Sequence, residues 1–411
     1  SIPGCLGAYA PPGEVKTREE KDIPMDMALS DEQRMIVDMV RRFVREEIVP
    51  LEDNLDPDAD EVSPEKLVEL IEKTKEMGLH GLDTPPEYGG PDINLVTRCL
   101  IAIECSQHRA GLYAPCYYAF GGARQAQLFE ATDAQKDKYL FPMLRGEKRV
   151  FFALSEPSGG SDPGRAIQTR AVRDGDHWVI NGTKLWISGA DRADYGLLFA
   201  RTGGPGRGGV TAFIVETEWA GFNVRRIVHT LRSAKYATEI QLENLRVPHE
   251  NILGEEGGGF AIANDRLSRQ RVPYSAECLG VAIKAHEMAI EYAKIRETFG
   301  APLAHRQGIQ WMLVENEIDI RTAKLLVFDA AAKADRGEPY RTESAIAKLV
   351  ASENSFKVVD RSMQIHGGLG VAKDLPLERW FREMRIRRVG EGPSEVQKHV
   401  IARDILNESL R

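Results

Sequence analysis

The spacing of apolar residues along these 411 residues changes character twice. From Ser30 to about residue 145 they recur at helical intervals, as Met35, Val37, Met39, Val40, Phe43 and Val44 do. Near Phe151 short strand-like runs take over, and after Gly257-Gly258-Gly259 helical spacing returns through Val281, Ala285, Met288, Tyr292 and Ile295. An amphipathic helix must lay its apolar stripe on another element, and a sheet must cover at least one face, so the pattern predicts separate cores. The fold class expected is mainly α with a central β-domain. Its parts are an N-terminal arm over 1–27, an α-helical domain over 28–148, an antiparallel β-barrel-like domain over 149–262 and a four-helix bundle over 263–411.

Local signals fill in the elements. Ser30-Asp31-Glu32-Gln33 predicts a capped helix start, and helices are expected over 63–77, 94–105 and 134–145. PPEYGG, over 85–90, reads as a turn-rich connector. Asn181-Gly182, between runs 177–180 and 183–186, predicts a two-residue hairpin. Further strands are expected over 195–201, 210–215, 222–228 and 239–247, with 201–209 a mobile hairpin loop. Helices over 309–334, 342–366 and after Pro393 complete the bundle, while Arg385, Arg387 and Arg388 read as a solvated basic face.

A chain of this length can bury two or three cores. Its formal charge of -8 argues against a nucleic-acid surface, and no apolar run reaches the length of a membrane span. The five cysteines are odd in number and lack CxxC spacing, which predicts reduced packing residues with neither a disulfide framework nor a metal site. Residues 1–24 lack the apolar stretch of a signal peptide and are too acidic for a transit peptide, so a cytoplasmic location is expected.

Near the C terminus, Glu391 lies in a turn after a basic segment and just before a helix start at Pro393. Alone, a glutamate there is a solvated residue that favours the helix dipole. Upstream segments change its meaning: PPEYGG, FALSEPSGGSD over 152–162, INGTKLWIS over 180–188, RVPHENILGEEGGGF over 246–260, RETFGAPLAHRQGIQ over 296–310 and QIHGGLG over 364–370. Together, across residues 28–408, they resemble the flavin-dependent acyl-CoA dehydrogenases. No GxGxxG follows a strand, so a Rossmann reading has little support.

The resemblance implies FAD-dependent removal of two hydrogens from Cα and Cβ of an acyl-CoA thioester, one as a proton and one as a hydride. It makes Glu391 the base. The alternative base position, just before Arg271, holds Gln270, which cannot take a proton. It also implies that the Glu391 N–H and a ribityl hydroxyl of the flavin bind the thioester oxygen. Leu154, Ser155, Trp186 and Ser188 match positions that line the flavin ring. Arg296, Thr298, Phe299 and Gln307 match contacts to the FAD of a neighbouring subunit, joined by the loop of Gln364, Gly367 and Gly368. A homo-oligomer, dimer or tetramer, follows. Ser161 and Arg271 match positions near the CoA, Gly390 and Gly392 flank the base on the substrate side, and His366 reads as structural. An electron-transferring flavoprotein is the implied electron acceptor.

Where straight-chain members carry Tyr-Glu-Gly-Thr, this chain has Gly390-Glu391-Gly392-Pro393, with Glu395 replacing a frequent Gln. The lost ring predicts open space beside the base and a bulky, branched or ring-bearing acyl group. An oxidase, a desulfinase-like lyase or a non-catalytic scaffold stay open as alternatives. The retained Glu391 speaks against the lyase, and intact base and flavin positions speak against the scaffold.

Overall fold

The computed structural model describes residues 29–59, 62–110, 115–121, 126–232 and 237–406; the predicted arm over 1–27 and Cys5 lie outside them. Helix α1 (Asp31–Phe43) begins in a capping box: the Ser30 side chain accepts the Gln33 N–H, and the Gln33 side chain accepts the Ser30 N–H, both at 3.1 Å. Helix α2 (Pro64–Glu76) is capped by Ser63 and α3 (Leu95–Cys105) by Asn94. They bury Val40, Phe43, Leu70, Ile101 and Phe120 in one core. The helix expected over 134–145 is present but contains a wide π-turn at Lys136–Leu140, as the end of α1 does at Val44–Ile48. A proline follows each π-turn two residues later, Pro50 and Pro142, and the wide turn makes room for the proline ring against the preceding turn.

The middle region is one curled sheet of eight strands: β1 (Val150–Ala153), β2 (Arg170–Asp174), β3 (His177–Ser188), β4 (Tyr195–Arg201), β5 (Val210–Glu216), β6 (Phe222–Ile227), β7 (Ala237–Pro248) and β8 (Ile252–Leu253). The order is β6-β7-β3-β2-β4-β5-β8, with β1 also on β4. Most ladders are antiparallel, but β1 and β2 run parallel to β4, which corrects the purely antiparallel expectation. Trp178, Phe151, Phe213 and Phe222 fill one side.

The predicted Asn181-Gly182 hairpin does not form. β3 runs unbroken through it, with register shifts at Ile180/Gly182 and Leu185/Ile187, and the turn lies upstream at Gly175-Asp176. Gly182 is required by a close approach instead: at φ 155° a Cβ there would stand 2.7 Å from Thr169 Cα. Nor is the glycine-rich loop after β4 unsupported, because Arg201 Nη1 donates to the Gly204 and Gly206 carbonyls at 2.7 and 2.9 Å.

Helices α4 (Gly259–Ile295), α5 (Gln307–Asp335) and α6 (Arg341–His366) pack side by side, and α3 packs against α4. A short hairpin, β9 (Glu297–Thr298) and β10 (Ala301–Pro302), joins α4 to α5. Two shorter helices close the bundle, α7 (Leu377–Arg387) and α8 (Ser394–Ile405). α7 corrects the reading of this stretch as a solvated basic segment. Its Leu377, Trp380 and Met384 enter the main core at helical spacing, and Arg387, 2 % exposed, pairs with Glu277 at 2.9 Å. Arg388 pairs with Glu353 at 2.7 Å, and only Arg385 of the three lies exposed. Cys99, Cys105, Cys116 and Cys278 are buried free thiols. Among the described residues no helix is long and apolar enough to cross a membrane.

Candidate active site

The turn between α7 and α8 carries Gly390, Glu391 and Gly392. Glu391 has φ 53° and Gly392 φ 93°, a left-handed pair that costs a glutamate about 1–3 kcal/mol. Two buried side chains hold it there: Gln397 Nε2 donates to the carbonyls of Glu391 (3.3 Å) and Gly392 (2.9 Å), and Lys348 Nζ donates to the Gly392 carbonyl at 2.8 Å. Burial pushes the Lys348 ammonium down to about 8, against the opposing pull of Cys278 and Glu391. The side chain of Glu391 is 22 % exposed, yet its Oε2 is shielded and accepts no hydrogen bond. Its nearest cation is Arg266 Nη1 on α4, at 3.6 Å. A carboxylate oxygen that is sheltered but not engaged is free to accept a proton.

Other predicted residues join this turn. Arg271 lies buried beside Gly392; burial draws its pKa down and the charge of Glu391 draws it up. The space beside Gly390 is filled, which corrects the expected opening: the Tyr274 Oη from α4 would lie 2.6 Å from a Cβ placed on Gly390. The Arg387 guanidinium sits 3.9 Å over the Tyr274 ring and fixes it.

Arg266 also links the Glu391 turn to the sheet, because its guanidinium lies 4.3 Å over the Phe152 ring in β1. Beyond β1, the Leu185 N–H of β3 donates to the Ser155 carbonyl at 3.0 Å, bringing Leu154 and Ser155 beside Trp186 and Ser188. Leu154 is buried and Ser155 half-buried. Trp186 is the residue turned out at the second register shift of β3, with φ 65° and 56 % exposed, and Ser188 is exposed after it. Trp186 is therefore no part of the β-domain core.

At the far end of the bundle a small cluster, Ala289, Ala293 and Ile365, ties the ends of α4 and α6 to the start of α5. Arg296, Thr298, Phe299 and Gln307 lie between the end of α4 and the start of α5, and Gln364, Gly367 and Gly368 lie at the end of α6. Phe299 is 99 % exposed at φ 49° on the tip of the β9–β10 hairpin. Arg296, Gln307, Gln364, Gly367 and Gly368 are exposed too, and a Cβ added at either glycine would meet nothing within 4 Å. Ser161 is exposed on the loop after β1. His366 is buried, bonded to the Ser362 carbonyl at 2.7 Å and stacked on Tyr292, a structural role.

A cavity of about 300 Å³ opens next to Arg266. Its wall comes from the PPEYGG segment, the start of α3, Gln127, Tyr340 and, on α4, Arg266 and Gln270.

Three family models match in sequence: the acyl-CoA dehydrogenase N-terminal domain over 30–147, middle domain over 151–245 and C-terminal domain over 257–406. The chain belongs to the acyl-CoA dehydrogenase family. It is 38 % identical to the 3-(aryl)acrylate reductase of Clostridium sporogenes, covering 92 % of this chain and 100 % of the relative. It is 37 % identical to a short-chain specific acyl-CoA dehydrogenase of Clostridium acetobutylicum, covering 92 % and 99 %. The solved structure of butyryl-CoA dehydrogenase from Megasphaera elsdenii superposes with a TM-score of 0.81 at 32 % identity, covering 93 % of this chain and 100 % of that one.

Acyl-CoA dehydrogenases are FAD-dependent oxidoreductases, and the residues present suit that cofactor. Trp186 and Phe299 are large apolar side chains displayed outward by strained backbone, an arrangement that makes sense once another group covers them. Gly367 and Gly368 leave an open, side-chain-free surface suited to a close approach by a pyrophosphate, and Arg296 is exposed at the end of α4.

One feature of this acyl-CoA dehydrogenase escaped the sequence reading. Glu156 of FALSEP and Lys184 of INGTKLWIS form a buried ion pair at 2.7 Å that locks these two segments together. Burial pushes Lys184 down to about 8; Glu156 is held below the usual carboxylate range, because Lys184 and the N–H groups of Gln168 and Thr169 outweigh its burial. The signal was one acidic and one basic residue, Glu156 and Lys184, each among largely uncharged residues of the two motifs.

Proposed function

We propose that this acyl-CoA dehydrogenase converts an acyl-CoA thioester to its 2-enoyl-CoA, with Glu391 as the base that takes the α-proton. The observation that carries this is the shielded, unengaged Oε2 of Glu391 on a turn that two buried side chains keep strained. Arg266 Nη1 lies 3.6 Å from that carboxylate, and buried Arg271 lies beside Gly392 on the same turn. The Glu391 N–H, on the same rigid turn, is proposed to bind the thioester oxygen as negative charge develops there. FAD, when bound, supplies the acceptor for the hydride leaving Cβ. Leu154, Ser155, Trp186 and Ser188 are proposed to hold its ring. Arg296, Thr298, Phe299, Gln307, Gln364, Gly367 and Gly368 are proposed to meet the dinucleotide of a second subunit, which makes a homo-oligomer the working unit. Ser161 and Arg271 are proposed for the CoA side.

The acyl group is proposed to be bulky or ring-bearing. Support comes from the cavity of about 300 Å³ and from the aryl substrate in the name of the Clostridium sporogenes relative, rather than from the space beside Gly390. That relative's name also supports a second reading, net reduction of an enoyl substrate, because the same base can return the proton. An electron-transferring flavoprotein is the proposed acceptor for the forward direction. Glu391→Gln is the test: rapid mixing of the oxidised holoenzyme with acyl-CoAs should show flavin bleaching slowed about a hundredfold or more. A rate within tenfold of the parent would remove Glu391 from the chemistry. A kcat/KM series across acyl-CoAs that favours short straight chains would overturn the substrate assignment, and reoxidation of reduced enzyme by enoyl-CoAs but not by the flavoprotein would favour the reductase reading.

A further inference from the structure

The cavity beside Arg266 has a wall that a plain hydrocarbon tail cannot satisfy. Gln127 is 7 % exposed, and neither its Nε2 nor its Oε1 has a hydrogen-bond partner, although a carboxamide offers two donor hydrogens and an acceptor. Packing alone is served as well by Leu or Met, which have nearly the same volume and no amide to strand. Apart from Asp92, which is exposed, the charged groups on the same wall each face an opposite charge. Asp83 pairs with Arg98, Arg269 pairs with Asp265 at 2.9 Å, and Arg266 faces Glu391. Burial pushes the Asp83 carboxyl up, while Arg98, Gln270 and Arg266 draw it down.

Within such a wall, a charged substituent would compete with the shielded Asp83–Arg98 pair and leave one of its partners buried alone. A neutral substituent that donates or accepts disturbs no pair, and it meets Gln127 at whichever end it reaches. We infer that this cavity receives the acyl group and that Gln127 selects acyl groups bearing a hydroxyl over plain or carboxylated ones. The inference rests on the proposed function, because it assumes that the cavity next to the Glu391–Arg266 pair is where the acyl chain lies. Gln127 is then a specificity residue, remote from the reacting carbons.

The test uses the holoenzyme and three matched CoA ester series of four to eight carbons, ending in a methyl, a hydroxyl or a carboxylate. One neutral hydrogen bond corresponds to a preference of about three- to tenfold in kcat/KM. The hydroxyl series should lead by that factor at one chain length, and Gln127→Leu should erase the lead without lowering kcat/KM on the methyl series. Calorimetric Kd values for the corresponding 2-enoyl products should move in parallel, a binding readout that a purely structural role would leave flat. Thermal melting checks the fold, and Gln127→Met replaces the Leu variant if that one unfolds. A lead for methyl or carboxylate esters, or a hydroxyl lead that survives both variants, overturns the inference and leaves Glu391 chemistry standing. If no ester of any series bleaches the flavin, the proposed function falls and the inference with it.

Discussion

Replacing Lys184 by methionine probes the buried pair that joins the FALSEP and INGTKLWIS segments. Lys184 is fully buried, with Nζ 2.7 Å from Glu156 Oε1 and 3.3 Å from the Leu154 carbonyl. Opposite charges that close attract by about 6 kcal/mol at an effective dielectric constant of about 20, and dehydrating both ions cancels most of it. Breaking the pair is another matter. Glu156 keeps the N–H groups of Gln168 (2.7 Å) and Thr169 (3.1 Å) but loses its counter-charge, so Lys184→Met should cost about 3–5 kcal/mol. Adding Glu156→Gln should recover more than half of that loss. The pH dependence gives a second, independent number. Lys184 titrates near 8 in the folded protein and near 10.5 when unfolded, so between those values the unfolded chain holds more protons and stability rises with pH. Across that window the rise is about 3 kcal/mol for Lys184. Lys348 behaves alike but is present in both proteins, so it cancels from the difference. Urea unfolding at pH near 7.5 and near 9.5 should therefore show the gap between parent and Lys184→Met widening at the higher pH. A cost under about 1 kcal/mol, or a gap that does not change with pH, would refute the account of the pair.

Two further outcomes follow from the geometry. Gly390→Ala should destabilise by about 1–3 kcal/mol, because its Cβ meets Tyr274 Oη at 2.6 Å, and Tyr274→Phe should relieve it, since the next Tyr274 atom is 3.6 Å away; equal melting temperatures for the single and double variants would count against this. Trp186→Gly should leave the apoprotein as stable or about 1 kcal/mol more so, since it relieves a positive φ at an exposed site, while weakening FAD binding about tenfold in a flavin titration.

Most of the helical architecture was legible because caps and apolar spacing agree. Ser30, Ser63 and Asn94 stand where their helices start, and Tyr195–Arg201 was bounded to the residue. The failures have physical causes. Asn181-Gly182 has the chemistry of a tight turn, but β7 pairs with β3 on both sides of it, and that long ladder overrides a local preference. Helix α7 was hidden by its arginines: Arg379 and Arg387 are buried because carbonyls of the N-terminal domain and Glu277 receive them, partners remote in sequence. The filled space at Gly390 was equally unreadable, since Tyr274 lies on another helix. Glu391 could be singled out only through the family pattern, because composition and spacing leave it an ordinary helix-flanking glutamate.

The backbone itself supplies a criterion that the sequence could not. Among the described residues only Trp186, Asn244, Phe299 and Glu391 combine a side chain with positive φ. Asn tolerates that region, and Asn244 is further held there by the Asn181 side chain, which accepts its N–H at 2.8 Å. The other three have no such chemical preference, and each lies at a different part of the proposed site: the base, the ring-facing edge of the sheet and the hairpin toward a second subunit. Strain at one of them has no functional meaning by itself, but strain at all three, each aimed outward or left without a hydrogen bond, fits pre-organisation for binding. It follows that glycine at any of the three should leave the apoprotein at least as stable while removing what that position binds or abstracts. For Glu391→Gly the expected gain is about 1 kcal/mol with turnover lost. A variant that lost stability at Glu391 instead would show that the carboxylate holds the turn together, and the separation of strain from support argued from Gln397 and Lys348 would fail.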